Sequence, residues 1–160
     1  RISKLKTNLS RLKFKTKIMN LNGLDFDESH KFDMVILDAP CSSIGTIRKH
    51  PEIFFRSKYP DFESLNQLQK NLLEKSSKLI KNKGKIVYMV CSFFYSETIG
   101  IIENFLKNNT NFSIERYSPN KEFSDLKYLI SKEGYFLTMP TTYKGFNIDG
   151  FFSAQLIRND

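Results

Sequence analysis

The sequence predicts an α/β fold built on a mostly parallel sheet, with its late strands forming an antiparallel hairpin at one edge. Three observations carry that expectation. Short apolar runs alternate with helical periodicities through residue 108, the order that feeds a parallel sheet with helices on its faces. Beyond residue 108, strands and turns follow one another with no further helical pattern, which suits an antiparallel return at a sheet edge. The two strongest strands also end alike, one in Asp38-Ala39-Pro40-Cys41-Ser42 and the other in Cys91-Ser92. In open α/β sheets that carboxyl end is where ligands bind.

Residues 3–13 place Leu5, Leu9 and Leu12 on one stripe and Lys4, Lys6, Arg11 and Lys13 on a solvated face, the spacing of an amphipathic helix. Residues 15–21 form a weak strand candidate, broken by Asn22-Gly23, and residues 25–31 are a polar connection. The run Met34-Val35-Ile36-Leu37 within residues 33–38 predicts a buried strand. Residues 39–60 have no clear period, and a stretch that long inside a domain is usually functional. A helix over residues 61–81 buries Leu65, Leu68, Leu72, Leu73, Ser76, Leu79 and Ile80, and the Lys-rich last turn before Gly84 stops it. A strand over 85–91 follows, then a helix over 97–108 with Ile101, Ile102, Phe105 and Leu106 inward. Residues 112–117 alternate like a strand, 118–132 are irregular, and 134–139 and 150–157 read as the last two strands, separated by a loop around Pro140 and Gly145.

Composition narrows the function classes. The chain carries 25 Lys and Arg against 17 Asp and Glu, a formal charge of +8, which fits a polyanionic partner, nucleic acid above all. Two cysteines in 160 residues make no disulfide framework and match a reducing, cytoplasmic setting. No C-x-x-C exists and His30 and His50 lie far apart, so no zinc spacing is present and no metal is expected. No apolar run reaches the length of a membrane span. Neither G-x-G-x-x-G nor a Walker loop occurs. With no repeat or linker, residues 1–160 are expected to form one domain. The chain begins at Arg1 inside a helical pattern, and the expectation is a domain lacking its N-terminal part.

Within residues 39–60 a thiol, hydroxyls, a Gly and cationic side chains are mixed. Arg48, Lys49 and His50 precede Phe54, Phe55 and Tyr59, which have Arg56 and Lys58 between them. Aromatics interleaved with cations stack on bases and hold phosphates; packing of the loop onto the core is the competing use, above all for Phe54 and Phe55. A strand-end thiol can be a nucleophile, a small core residue or an incidental free Cys. Two thiols at matching ends of two strands, with Asp38 beside them, favour a shared substrate. Capping of the following loop is the other role open to Asp38.

These residues resemble a known family. Asp38-Ala39-Pro40-Cys41-Ser42, with Gly45-Thr46 and Arg48-Lys49-His50-Pro51, is similar to the fourth conserved motif of the Sun (RsmB-like) RNA cytosine-C5 methyltransferases. Val87-Tyr88-Met89-Val90-Cys91-Ser92 resembles their sixth motif, with Val90 in place of the usual Thr. Glu97 stands where the family has an acid opening the next helix, Asp149-Gly150-Phe151-Phe152 resembles its closing strand, and residues 1–12 resemble its Arg- and Leu-containing helix. The resemblance implies the C-terminal portion of a Rossmann-like class I methyltransferase domain that uses S-adenosylmethionine and acts on RNA, ribosomal RNA by analogy.

It also implies roles. Cytosine C5 is a poor nucleophile, and adding a thiolate to C6 makes it enamine-like. Cys91 would be that nucleophile and Cys41 would assist product release. Asp38 would contact the base near N3 and lie close to the methyl donor, and Pro40 would fix the loop beside the base. Asn22, aligned with the family's adenine-contacting acid, would be a cofactor contact, a simple turn at Asn22-Gly23 being the alternative. The family's Gly-rich cofactor loop precedes residue 1. The competing reading is therefore a catalytically inactive RNA-binding relative; a cysteine hydrolase lacks a His at a strand end.

Overall fold

In the computed structural model, which describes residues 2–119, 121–143 and 145–160, the sheet grows outward from β2 (Ile80–Val90). On one side β2 pairs in parallel with β1 (Phe32–Asp38), Asp38 lying opposite Met89. On the other side it pairs antiparallel with β7 (Phe151–Arg158), Val90 lying opposite Phe152. These registers bring the end of β1, the end of β2 and the start of β7 to one rim. The two cysteine segments and Asp149-Gly150 therefore leave the sheet together.

β3 (Phe112–Ile114) and β4 (Phe136–Thr138) both pair with β7, at opposite ends of its outer edge. Among the described residues, β1 to β4 all point the same way in the five-stranded sheet and β7 alone runs against them. The antiparallel β4–β7 pairing predicted for the late strands forms, but β7 lies inside, between β2 and β3. Its composition explains the position: Phe152, Ala154 and Leu156 are fully buried, and a strand so apolar is better covered by neighbours on both edges.

The core lies on the sheet face that α2 (Phe62–Leu79) and α3 (Ile99–Asn108) cover. Ile86, Tyr88 and Val90 alternate inward from β2 and meet Leu73, Ile101, Ile102 and Phe105 of the helices, each such side chain contributing about 1.5–3 kcal/mol by leaving water. Asp61 starts α2 by accepting the Ser64 N–H at 3.1 Å and the Ser64 hydroxyl at 2.6 Å, an N-cap of ordinary chemistry. The opposite face is lined by Val87 and Met89 and partly covered by the segment around Tyr117, Leu126 and Ile130.

Several expectations shift. Residues 15–21 form no strand and are mostly exposed. β1 is less buried than its apolar run implies: Val35 and Leu37 pack on the core, whereas Met34 and Ile36 on the alternate face are 48% and 62% exposed. The helix over 61–81 ends at Leu79, and β2 begins at once at Ile80. Residues 81–84 then loop out, so that Phe32 faces Ile80 while Met34 faces Lys85. Gly84 is needed there for close approach, since a Cβ would come within 2.7 Å of Ile80 Cγ2. The loop around Pro140 and Gly145 contains its own short hairpin, β5 (Thr141–Tyr143) with β6 (Phe146–Ile148). The N-terminal helix, α1 (Ile2–Arg11), buries none of its residues. No helix among the described residues is long and apolar enough to cross a membrane.

Candidate active site

The rim is stitched by backbone hydrogen bonds. Ala39 N–H donates to Met89 O at 3.0 Å, Gly45 N–H to Cys91 O at 3.0 Å, and Gly150 N–H to Gly45 O at 2.8 Å. A Cβ on Gly45 would sit 2.0 Å from Gly150 O, so only Gly lets the three segments approach this closely. Ser43 takes a left-handed φ of 63°, turning the chain back over Cys91.

The sequence places both cysteines at strand ends, and the structure brings them together: Cys41 Sγ and Cys91 Sγ are 3.3 Å apart, with Ser43 Oγ 3.6 Å from Cys91 Sγ. Both thiols are free and half-buried. The two thiols are driven in opposite directions. The hydrogen bond to Cys91 pushes the Cys41 thiol up, and burial and the Glu97 carboxylate add to that. The same bond, with the Ser43 hydroxyl, draws Cys91 down to about 6 against the opposing effects of burial and Asp38. Ser43 bears on both sulfurs, its backbone N–H favouring a charge on Cys41 and its hydroxyl a charge on Cys91. Of the two, Cys91 is the sulfur on which a charge is favoured.

Asp38 is exposed at the end of β1, its carboxylate has no hydrogen bond among the described residues, and it acts on Cys91 electrostatically. It does not cap the loop. Pro40 is exposed, and its carbonyl accepts from Gln69 Nε2 at 2.8 Å. Asn22 caps a short turn at Gly23–Asp25 by accepting Leu24 N–H at 3.1 Å, the simple-turn use weighed for it. Beside Cys41 opens a cleft of about 440 Å³ whose walls include Arg56, Lys58, Pro60 and Leu65. A second cavity of about 540 Å³, lined by Phe54, Tyr59, Phe62 and Phe94, reaches Ser42.

The basic residues divide into two sets. Lys49 Nζ and Arg48 Nη2 lie 2.6 and 3.0 Å from the Asp149 carboxylate, holding it below the usual carboxylate range. His50 Nδ1 is 3.0 Å from Glu52 Oε1. Arg56 donates to Ser42 O at 3.4 Å, and it shares the Cys41 cleft with Lys58. Sequence reasoning missed the Asp149 tie, which spans 101 positions, and the burial of Gln69 and Glu97, both 0% exposed. A Gln within the apolar stripe of α2 was the legible sign of a polar network below the rim. No cluster of metal-ligating side chains occurs among the described residues.

Two free thiols 3.3 Å apart lie at the carboxyl rim of two parallel strands, where α/β sheets bind their ligands. Residues 1–157 match the family described as 16S rRNA methyltransferase RsmB/F, and the chain belongs to that family. It is 29% identical over 161 residues to the ribosomal RNA small subunit methyltransferase B of Shewanella oneidensis, covering 99% of this chain and 35% of that protein. It is 31% identical to the protein of the same name from Pectobacterium atrosepticum, covering 99% and 34%. The chain thus spans about a third of the length of these curated relatives. Among solved structures, PH0851 superposes with a TM-score of 0.80 at 30% identity, covering 98% of this chain and 34% of that one. NSun6 from Pyrococcus horikoshii, solved with SFG, superposes at 0.76 with 22% identity over 100% and 39%, a likeness of fold.

Proposed function

We propose that residues 1–160 act as the catalytic domain portion of a cytoplasmic RNA cytosine-C5 methyltransferase with ribosomal RNA as substrate. The observation that carries this reading is the 3.3 Å sulfur pair with opposite proton affinities. Two thiols in one site suit a reaction in which one adds to a pyrimidine and the other manages its departure. The Cys91 thiolate adds to cytosine C6 and loads electron density onto C5. After methylation the C5 proton passes to a base or water, the C5–H electron pair restores the C5–C6 double bond, and the C6–S bond breaks to return Cys91 as a thiolate. Cys41 assists that release, and Asp38 holds the cytosine near N3.

S-adenosylmethionine supplies an electrophilic methyl group when bound. The residues present fit it in chemistry: Asp38 offers an unshared, exposed carboxylate at the strand end, and Asn22 keeps its amide donors while its oxygen caps the turn. With Pro40 these are the residues of this chain proposed to hold it. The match of residues 1–157 to a methyltransferase family supports the need for a methyl donor. Arg48, Lys49, His50, Arg56 and Lys58 are the proposed RNA contacts, with Tyr59, 78% exposed, as a stacking face.

The test uses the full-length protein with its RNA. Cys91→Ala should end methylation and form no protein–RNA adduct. Cys41→Ser should accumulate an adduct seen as a slow denaturing-gel band that RNase collapses. Reversed behaviour would make Cys41 the nucleophile, and unchanged methylation in both variants would end the enzymatic reading.

A further inference from the structure

Each cysteine is followed by a serine, and the thiol chemistry leaves both serines unexplained. The structure accounts for them through one carboxylate. Ser42 Oγ and Ser92 Oγ each donate to Glu97 Oε2 at 2.6 Å. Ser42 N–H donates to Glu97 Oε1 at 2.8 Å, and Gln69 Nε2 reaches the same oxygen at 3.3 Å. The two serines then do the same thing again. Ser42 Oγ accepts Ile44 N–H at 3.4 Å, and Ser92 Oγ accepts Phe94 N–H at 3.2 Å. Two equivalent turns, one after each thiol, hang from a single side-chain oxygen.

Glu97 is itself fixed. It is 0% exposed, and its backbone carbonyl accepts the buried Tyr88 hydroxyl at 2.8 Å. It lies in the turn Tyr95–Glu97 ahead of α3, yet among the described residues its carboxylate accepts no hydrogen bond from that helix; its donors all belong to the two thiol segments and to Gln69 of α2. A buried carboxylate is costly unless hydrogen bonds satisfy it, and here the satisfying donors belong to segments that are 50 positions apart in sequence. We infer that Glu97 is a positioning residue for the thiol pair: it ties the turn after Cys41 to the turn after Cys91 and so sets the distance between the two sulfurs. The inference rests on the two-thiol reading above and deepens it.

The experiment measures thiol pairing directly, without requiring turnover. Phenylarsine oxide condenses with two adjacent thiols, forming two As–S bonds and releasing water, and holds a lone thiol far less well. It is titrated into full-length wild type and variants, with capture mapped to the peptides carrying Cys41 and Cys91 and folding checked by circular dichroism. Wild type should bind one arsenical across the pair. Glu97→Asp keeps the charge but loses the reach, and capture should weaken by about tenfold, the size of one lost charge-assisted hydrogen bond. Glu97→Gln keeps the reach, since a serine hydroxyl can turn to accept from the new amide, and should stay within about threefold of wild type. Ser92→Ala, which leaves the carboxylate in place, should also weaken capture while single-thiol alkylation by iodoacetamide continues. Unchanged capture in folded Glu97→Asp and Ser92→Ala would overturn the inference, as would loss in Gln with retention in Asp, the pattern of a purely electrostatic role. Failure of wild type to capture the arsenical would instead end the two-thiol reading itself.

Discussion

Replacing Cys41 by Ala in the full-length protein should raise the pH at which Cys91 becomes reactive. Cys91 is drawn down to about 6, with the hydrogen bond from Cys41 as the first cause. Without that donor it moves toward the ordinary thiol value of about 8.5, held back by the Ser43 hydroxyl and pushed on by burial. At pH 7 the thiolate fraction falls from about 0.9 toward about 0.03, roughly thirtyfold. A more basic thiolate is also a better nucleophile, and a Brønsted slope of about 0.4–0.5 over 2.5 units returns roughly tenfold or more. The net change in alkylation rate at pH 7 is then only about two- to threefold, too small to diagnose anything. The midpoint of the pH–rate curve is the informative readout: it should rise by about one to two and a half units, with a higher alkaline plateau. The assay is iodoacetamide alkylation from pH 5 to 10, read at the peptide that carries Cys91. A midpoint still near 6 would refute the sulfur–sulfur hydrogen bond as the cause, and a lower midpoint would mean that Cys91 had been the donor.

Other consequences are sharper in geometry. Gly45→Ala puts a Cβ 2.0 Å from Gly150 O and threatens two rim hydrogen bonds, so it should cost about 2–5 kcal/mol in urea unfolding and depress methylation. Gly23→Ala, which meets only the flexible Leu72 side chain at 3.2 Å, should change stability by about 1 kcal/mol or less. Changing Arg56 and Lys58 to Ala should reduce the salt slope of RNA binding by about one to two units. The same change at Arg48 and Lys49 should have a smaller effect, because Asp149 already pairs with both; equal effects would mean that RNA breaks those pairs. In wild type, methylation should fall as pH drops through about 6, since protonating Cys91 removes the nucleophile.

What could be read from the chain and what could not have different physical origins. The strands around residues 33–38 and 85–91 and the two long helices follow from local periodicity, and their existence came through. Register did not. That Asp38 lies opposite Met89, and that β7 enters between β2 and β3, are decisions made by tertiary pairing. Residues 15–21 show the reverse failure: a pattern with strand character finds no strand to pair with among the described residues. At the site, residue types gave the thiols and the acid, because their spacing is local to each strand end. The tie from Arg48 and Lys49 to Asp149 crosses most of the sequence, and nothing in a basic run says which carboxylate it will meet. The β5–β6 hairpin was hidden because three-residue strands are too short to show alternation.

The division of labour between two chemically identical side chains rests on the shape of the rim. Parallel β1 and β2 end at the same level, so the thiols that follow them are forced to the same height. Antiparallel β7 starts there as well, and Gly150 and Gly45 fill the space that any side chain would occupy. That much makes the sulfurs neighbours but leaves them equivalent. The difference comes first from the sulfur–sulfur hydrogen bond itself, which raises Cys41 and lowers Cys91; burial and Glu97 add to the rise at Cys41, and Ser43 bears on both sulfurs. The opposing push of Asp38 on Cys91 is the cost of keeping a carboxylate where a pyrimidine ring must be held, and the two hydrogen bonds to Cys91 outweigh it.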